Sequence, residues 1–286
     1  MKVFRNSILD IFLVLYALVG FLLPFGIALY IENIWLWVLL TPFQIIYTVV
    51  LMNTSMHHHT HTPIFNSKIF NRIYEIFVGM PSTIPFQLWK YYHLTHHRYN
   101  NDMQKNGIVK DPISFYRYGK NGKRENVWSY IVYGLYRDLS GISERDIENT
   151  CSTKFKTLDR KKLRIENTMI VLYFLSIMFV NIWYSLFYIM VIFLTLVANN
   201  ANSYGEHYNA VDHSNFRCDS IGSYGKLYNF FCFNSGYHQE HHVKPSLHWT
   251  KLPEITCTLP EKRTQIQGMF MFNAPFLNDL KELFKK

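Results

Sequence analysis

Long apolar segments alternate with polar ones along this chain. The first covers residues 8–30 and is interrupted only by Asp10; after the polar pair Glu32 and Asn33, apolar sequence resumes over residues 34–52. Each segment is close to the roughly 20 residues that a helix needs to cross the hydrocarbon core of a bilayer. The pattern therefore predicts a helical hairpin of two membrane spans.

A second apolar block covers residues 168–198 and contains no charged residue. As one helix it would be about 46 Å long, because each residue adds about 1.5 Å. That length is well beyond a hydrocarbon core of about 30 Å. We therefore predict two further spans, at about 166–181 and 183–199, with a turn near Asn181.

The apolar segment between residues 65 and 89 is of a different kind. Charged residues, a glycine and two prolines interrupt it, which favours a core-packing or interfacial helix over a fifth span. No internal repeat or Gly/Ser-rich linker is evident, so one domain over residues 1–286 is the simplest interpretation. The predicted fold is an all-α membrane protein: two transmembrane hairpins capped by a helical cytosolic domain.

The distribution of charged residues predicts how the spans are oriented in the membrane. Only 17% of the residues are charged, against about a quarter in soluble domains. Of the 29 Lys and Arg residues, two precede residue 8, eighteen lie in 53–165 and nine follow residue 198. Positive residues favour the cytosolic side, which predicts cytosolic termini and cytosolic parts at 53–165 and 200–286. The net charge of +9 is thus attributed to a membrane surface, and no nucleic-acid partner is expected.

Histidine is concentrated in three short windows. Ten of the thirteen histidines lie in residues 57–61, 93–97 and 238–242, with the sequences HHHTH, HLTHH and HQEHH. Residues three or four apart share one face of a helix, so each window can direct two or three imidazoles at one point. Neutral imidazole binds iron, zinc, copper and nickel well. The windows therefore predict a metal site.

The metal site and the predicted topology support each other. The first window follows the second span, the second lies in the central polar region, and the third follows the last span. All three reach one side of the membrane only if an even number of spans separates them. This favours two spans in the block at 168–198.

The three windows resemble the HxxxH, HxxHH and HxxHH boxes of the integral-membrane fatty acid desaturase and hydroxylase superfamily. The resemblance covers roughly residues 57–254 and includes HHRYNNDMQKNGIVKDP and NSGYHQEHHVKPSLHWTKLPE. It implies two non-heme iron ions, O₂ as co-substrate and a lipid acyl chain as substrate. It also implies an external electron donor of the ferredoxin, rubredoxin or cytochrome type, since no cofactor-binding motif for electron transfer is evident in the sequence.

The resemblance also implies a ligand set. The segment NSYGEHYNAVDH is similar to the NYxEHYGL box of membrane alkane hydroxylases, although Ser203 stands where that box has Asn, and it adds His207 to the candidates. In the first box His57 has the i, i+4 relation to His61, while His58 stays open as its replacement. Carboxylates near the boxes that are candidates to orient the rings are Glu206, Glu240, Asp111 and Asp102. The predicted metal ligands are His57, His61, His93, His96, His97, His207, His238, His241 and His242.

The implied function is that of an O₂-dependent membrane di-iron oxidoreductase that acts on unactivated C–H bonds. A lipid desaturase is the preferred interpretation, and a membrane hydroxylase (monooxygenase) of alkanes, fatty acids or carotenoids is the alternative within the enzymes. A non-catalytic membrane metal-binding or transport protein is the alternative of another class. Transport would call for ionisable or polar residues inside the spans, which here hold Asp10 and Asn181.

Overall fold

The structure is a computed structural model that describes residues 2–100, 110–111, 113–114, 125–141, 158–207 and 220–259. Over these residues the chain is helical, without a β-sheet; one isolated antiparallel bridge joins Phe4 and Phe65. The α-helices are α1 Asp10–Tyr30, α2 Ile34–Leu51, α3 His57–His61, α4 Lys68–Ser82, α5 Phe86–Tyr99, α6 Val127–Leu139, α7 Arg160–Val180, α8 Ile182–His207, α9 Lys226–Phe231 and α10 His238–Val243. A π-helical turn, Met52–Met56, joins α2 to α3, and a 3₁₀ segment follows at Trp249–Thr258.

Four helical stretches within these residues are long and apolar enough to cross a membrane. They are Asp10–Tyr30, Ile34–His61, Arg160–Val180 and Ile182–His207. The prediction of an all-α fold with four spans in two hairpins is confirmed. Helix α4, at Lys68–Ser82, is not among the four, as expected for the interrupted apolar segment between residues 65 and 89.

The chain forms two compact units. The first unit comprises Met1–Tyr91 and Leu158–Ala198, and the second comprises Tyr92–Thr157 and Asn199–Lys286. Helices α5 and α8 each begin in the first unit and end in the second. The expectation of a single domain stays a prediction.

Asparagine side chains form both tight turns between the spans of the first unit. Asn33 accepts a hydrogen bond from the backbone N–H of Trp35 at 2.8 Å, which caps α2. Asn181 lies between α7 and α8, accepts from the N–H of Tyr184 at 3.0 Å and donates to the carbonyl oxygen of Ala28 at 3.2 Å. The turn predicted near residue 181 is therefore present, and it is tied to the end of α1.

Aromatic side chains form the core of the first unit. The rings of Trp37 and Tyr184 meet edge to face with centroids 5.4 Å apart. The Tyr184 hydroxyl donates to Oε1 of Gln44 at 2.6 Å, and the Tyr173 hydroxyl donates to the carbonyl of Phe21 at 2.8 Å. Because lipid tails are as apolar as the helices, close packing and such interhelical hydrogen bonds hold membrane helices together.

Helices α2 and α8 differ from the predicted spans at their ends. The second predicted span stops at residue 52 and the fourth at 199, where apolar sequence gives way to polar residues. In the structure the helical path continues to His61 and His207. Polar side chains stay within the helix by bonding back to carbonyls four residues earlier, as Asn53 does to Val49 and Thr54 to Val50. Hydropathy locates the apolar part of a helix and not its last residue.

Replacing Ile177 by alanine should destabilise the first unit. Its side chain is fully buried in the aromatic core, so truncation leaves a cavity that costs about 2–5 kcal/mol. Phe179, two residues further along the same helix, is 92% exposed in the isolated chain and serves as the control. Unfolding in detergent should show a clear loss of stability for Ile177→Ala and little for Phe179→Ala; equal losses would contradict this description of the core.

Candidate metal centre

The second and third histidine boxes meet within the second unit. Nε2 of His97 lies 3.0 Å from Nε2 of His93, one helical turn away on α5, and 3.0 Å from Nε2 of His241 on α10. Three imidazole nitrogens from two separate helices therefore converge on one position.

A second group of imidazoles forms beside the end of α8. His96, His207 and His242 each offer a nitrogen within 4.8 Å of the others, and all three side chains are buried. Nε2 of His238 lies 3.2 Å from Nε2 of His207 and 3.1 Å from Nε2 of His242. This group draws on α5, α8 and α10 together.

The spacing of these nitrogens fits ligands that share an ion. An imidazole nitrogen binds a divalent ion at about 2.1 Å, so two nitrogens on one ion lie about 3.0 Å apart at an angle of about 90° and about 3.4 Å apart at the tetrahedral angle. A hydrogen bond between two imidazoles shares one proton and explains a single close pair of nitrogens. It does not explain three nitrogens that converge on one position. The two groups therefore fit a metal site.

A buried carboxylate orients one of these rings. Oδ2 of Asp111 lies 3.1 Å from Nδ1 of His96, and both side chains are almost completely buried. The other oxygen of Asp111 accepts from the backbone N–H of Ile113 at 3.0 Å, which fixes the carboxylate. Nε2 of His96 is buried without a hydrogen-bond partner. A carboxylate on one ring nitrogen and an open lone pair on the other are the usual arrangement of a metal-binding histidine.

An amide takes the corresponding position at His242. The side-chain amide nitrogen of Asn100 lies 3.1 Å from Nδ1 of His242. The assignment of amide oxygen and nitrogen is interchangeable, and the oxygen placed there would accept the Nδ1 proton and leave Nε2 for a metal. Sequence reasoning missed Asn100; its position four residues after His96, on the same helical face, was the available signal.

The other predicted carboxylates have different surroundings. Glu206 comes only within 4.0 Å of Nε2 of His238, which is longer than a hydrogen bond. Glu240 is fully buried and accepts hydrogen bonds from the hydroxyls of Tyr224 at 3.0 Å and Thr256 at 2.5 Å. Burial and the neighbouring Glu240 raise the pKa of Tyr224, so this phenol stays protonated as a donor. Glu240 thereby ties α10 to two flanking segments. Asp102 lies outside the described residues.

The first box lies on α3 in the first unit. The rings of His57 and His61 share one face, with centroids 5.7 Å apart and a nitrogen of each within 4.8 Å of the other. His59 is engaged elsewhere: its Nδ1 accepts from the N–H of Ile64 at 3.3 Å and its ring meets Phe86 edge to face at 5.3 Å. The choice of His57 over His58 stays a prediction.

Comparison with known proteins places the chain in a family. Residues 33–270, most of the chain, match the fatty acid desaturase family. The chain belongs to this family. The resemblance seen in the three boxes is thereby confirmed, and with its four candidate spans this fatty acid desaturase family member is a multi-pass membrane protein.

Curated relatives of this desaturase family member carry similar names. A Caenorhabditis elegans protein, provisionally named a sphingolipid delta(4)-desaturase/C4-monooxygenase, is 26% identical over 73% of this chain and 55% of its own length. Sphingolipid delta(4)-desaturase DES1 of Gallus gallus is 27% identical over 77% of this chain and 67% of its own length. The Candida albicans sphingolipid delta(4)-desaturase is 23% identical over 84% of this chain and 68% of its own length. The chain thus spans between about half and two thirds of these relatives, and no solved structure matches it.

Replacing Asp111 by asparagine should weaken metal binding by about 10- to 100-fold, the usual effect of removing an outer hydrogen-bond partner of a metal-bound histidine. The change keeps the shape of the side chain but removes the charge that orients His96. Metal content after dialysis against a graded chelator measures the effect. Asp159→Asn is the matched control, because Asp159 is an exposed helix cap whose role asparagine also fills. Equal retention by both variants would contradict the orienting role.

Proposed function

We propose that this protein is an O₂-dependent di-iron enzyme that desaturates a lipid acyl chain. One observation carries the proposal: within the second unit, two groups of imidazoles, one of them buried and the other partly buried, converge at ligand spacing in a chain of the fatty acid desaturase family. Such lipids partition into the bilayer, in keeping with a multi-pass membrane protein.

The ligands proposed are the nine histidines predicted from the sequence. Four of them, His96, His207, His238 and His242, would hold one ion. The other ion would be held by His93, His97 and His241 together with the first-box residues His57 and His61. The support for the last two is their shared face on α3 and the HxxxH box of the family.

Bound iron would supply activation of O₂ and removal of hydrogen from an unactivated C–H bond. Forming one double bond takes two hydrogens from adjacent carbons, and with O₂, two electrons and two protons the balance is one alkene and two waters. The electrons therefore require a reduced partner protein, for which we propose a ferredoxin, rubredoxin or cytochrome. The net charge of +9 would attract an acidic partner as well as anionic lipid headgroups.

The chain's own residues set the charge and orientation of the site. Nine neutral imidazoles bring no negative charge to the site. The carboxylate of Asp111, 3.1 Å from Nδ1 of His96, is an anionic group that the structure places in contact with a proposed ligand ring. Its hydrogen bond selects the tautomer of His96 that leaves Nε2 as a ligand. Burial of His96, His207, His238 and His242 keeps bulk water from competing for the positions around these four rings.

The names of the relatives support a sphingolipid as the substrate class. The eight relatives that match significantly include sphingolipid delta(4)-desaturases of animals and a yeast, at 23–28% identity. Hydroxylation is the second candidate, favoured by the double name of the C. elegans relative and by the resemblance of the segment around His207 to a hydroxylase box. Both reactions begin with removal of one hydrogen. Desaturation then removes a second hydrogen from the adjacent carbon, whereas hydroxylation adds oxygen to the first carbon.

We further propose that both termini and the histidine boxes lie on the cytosolic side. All 29 Lys and Arg residues fall before residue 8, between 53 and 165, or after 198. Both inter-span turns, at 31–33 and 181, lack them. This asymmetry is the one expected from the preference of positive residues for the cytosol.

Expression in a host that makes dihydro-sphingolipids, followed by lipid extraction and mass spectrometry, tests the reaction. The native chain should yield species that have lost two hydrogens, and His96→Ala should abolish them because it removes a metal ligand. His248→Ala is the control: it changes a histidine that instead contacts Thr250 at 2.9 Å and belongs to no box. Gain of one oxygen in place of loss of two hydrogens would assign the hydroxylase alternative.

Activity measurements on purified, iron-loaded protein distinguish an enzyme from a protein that only binds metal. Iron reconstitution should give O₂-dependent turnover with a chemical or protein reductant. Protein that retains only zinc, and that shows no O₂-dependent turnover after iron loading, would overturn the proposed chemistry and favour a non-catalytic metal-binding role.

Single replacements in the first box distinguish His57 from His58. His57→Ala should lower the iron content from two ions toward one per chain, whereas His58→Ala should leave two, because only His57 has the i, i+4 relation to His61 on α3. Iron and protein determined on the same purified samples give the ratio. The reverse pattern would assign the ligand role to His58.

A further inference from the structure

Helix α6 has apolar side chains on two opposite faces. Its inner face packs within the second unit, where Tyr130, Ile131 and Leu135 are buried. The Tyr130 hydroxyl donates to the carbonyl of Ile113 at 2.9 Å, and its ring lies 5.2 Å from that of Tyr204 on α8. This face of α6 is thus occupied by its own unit.

The outer face of α6 is also apolar, although it is exposed. Among the side chains of α6 whose surroundings the structure describes, every exposed one is apolar or aromatic. Successive members are four, one, three and three residues apart, which places all of them on one side of the helix as a continuous stripe. The stripe consists of Trp128 (56% exposed), Val132 (60%), Tyr133 (49%), Tyr136 (62%) and Leu139 (69%).

A helix whose exposed face is apolar is expected to bury that face against protein or lipid. With 13 residues, α6 is about 20 Å long, too short to cross a hydrocarbon core of about 30 Å. A helix of this kind is accommodated when it lies in the plane of the membrane interface.

We propose that the outer stripe of α6 lies in the interfacial layer of the bilayer, with the lipid surface as its occupant. Trp and Tyr, which supply three of the five stripe residues, are the residues that concentrate at the level of lipid headgroups. The protein is already a membrane protein, so this surface extends its contact with lipid beyond the four spans.

A fluorescent label on the stripe measures its depth. Tyr136→Cys is introduced into the full chain with Cys151, Cys218 and Cys257 changed to serine. Cys232 can stay, because it is buried and burial raises the pKa of its thiol to about 12, which suppresses labelling. Lys251→Cys, an exposed charged position in the same unit, is the matched control.

Both labelled proteins are reconstituted in vesicles of phosphatidylcholine and phosphatidylserine. A nitroxide lipid labelled near the headgroup should quench the label at residue 136 several-fold more than at residue 251, and aqueous iodide should show the reverse order. Equal quenching at the two sites by both agents overturns the proposal. Energy transfer between labels at residue 136 on two chains, which persists on dilution with lipid, also overturns it and assigns the stripe to a second copy of the protein. Neither measurement requires turnover, so its result is independent of the proposed di-iron function.

Discussion

Convergence of several imidazoles on one point is the constraint on which the second unit depends. Separations of 3.0–3.2 Å between ring nitrogens require α5, the end of α8 and α10 to be held in register within a fraction of an ångström. Neutral imidazoles gain little from each other at that distance, so the protein must hold them by other means. The buried contacts behind the rings do this: Asp111 at His96, Asn100 at His242, and the hydroxyl pair that binds Glu240 on the opposite side of the third box.

The first unit meets a different requirement. The hydrophobic effect does not drive helices together in lipid. The spans of this unit are held together instead by asparagine caps, tyrosine hydroxyl hydrogen bonds and edge-to-face aromatic pairs. Glu166, at the start of α7, is nearly completely buried and is satisfied by Arg72 from α4 and by the backbone N–H of Gln87 from α5. This ion pair joins α4, which is not one of the four candidate spans, to the start of α7.

The sequence predicted much of this because its strongest signals are chemical and periodic. Apolar length gave the four spans, and the turn at Asn181 followed from the excess length of a single helix. Histidine spacing predicted the groups that the structure brings together in the second unit. The sequence could not predict partners distant in the chain: Asn100 is marked only by its spacing from His96, and Tyr224 by no pattern. Glu240, close to three predicted ligands, bonds to hydroxyls 16 residues away on either side. Two helices also extend beyond the predicted spans, because side-chain bonds to the preceding turn extend a helix into polar sequence.

The π-helical turn Met52–Met56 between α2 and α3 has a geometric consequence for the first box. A π turn closes its hydrogen bonds one residue later than an α-helix, so it holds one extra residue relative to a regular helix. Each residue of an α-helix rotates the side chain by about 100°. The extra residue therefore rotates the face on which His57 and His61 lie by about 100° relative to the face that α2 presents to its neighbouring spans. The span and the box can each satisfy their own packing, while the chain between them remains one continuous helical path.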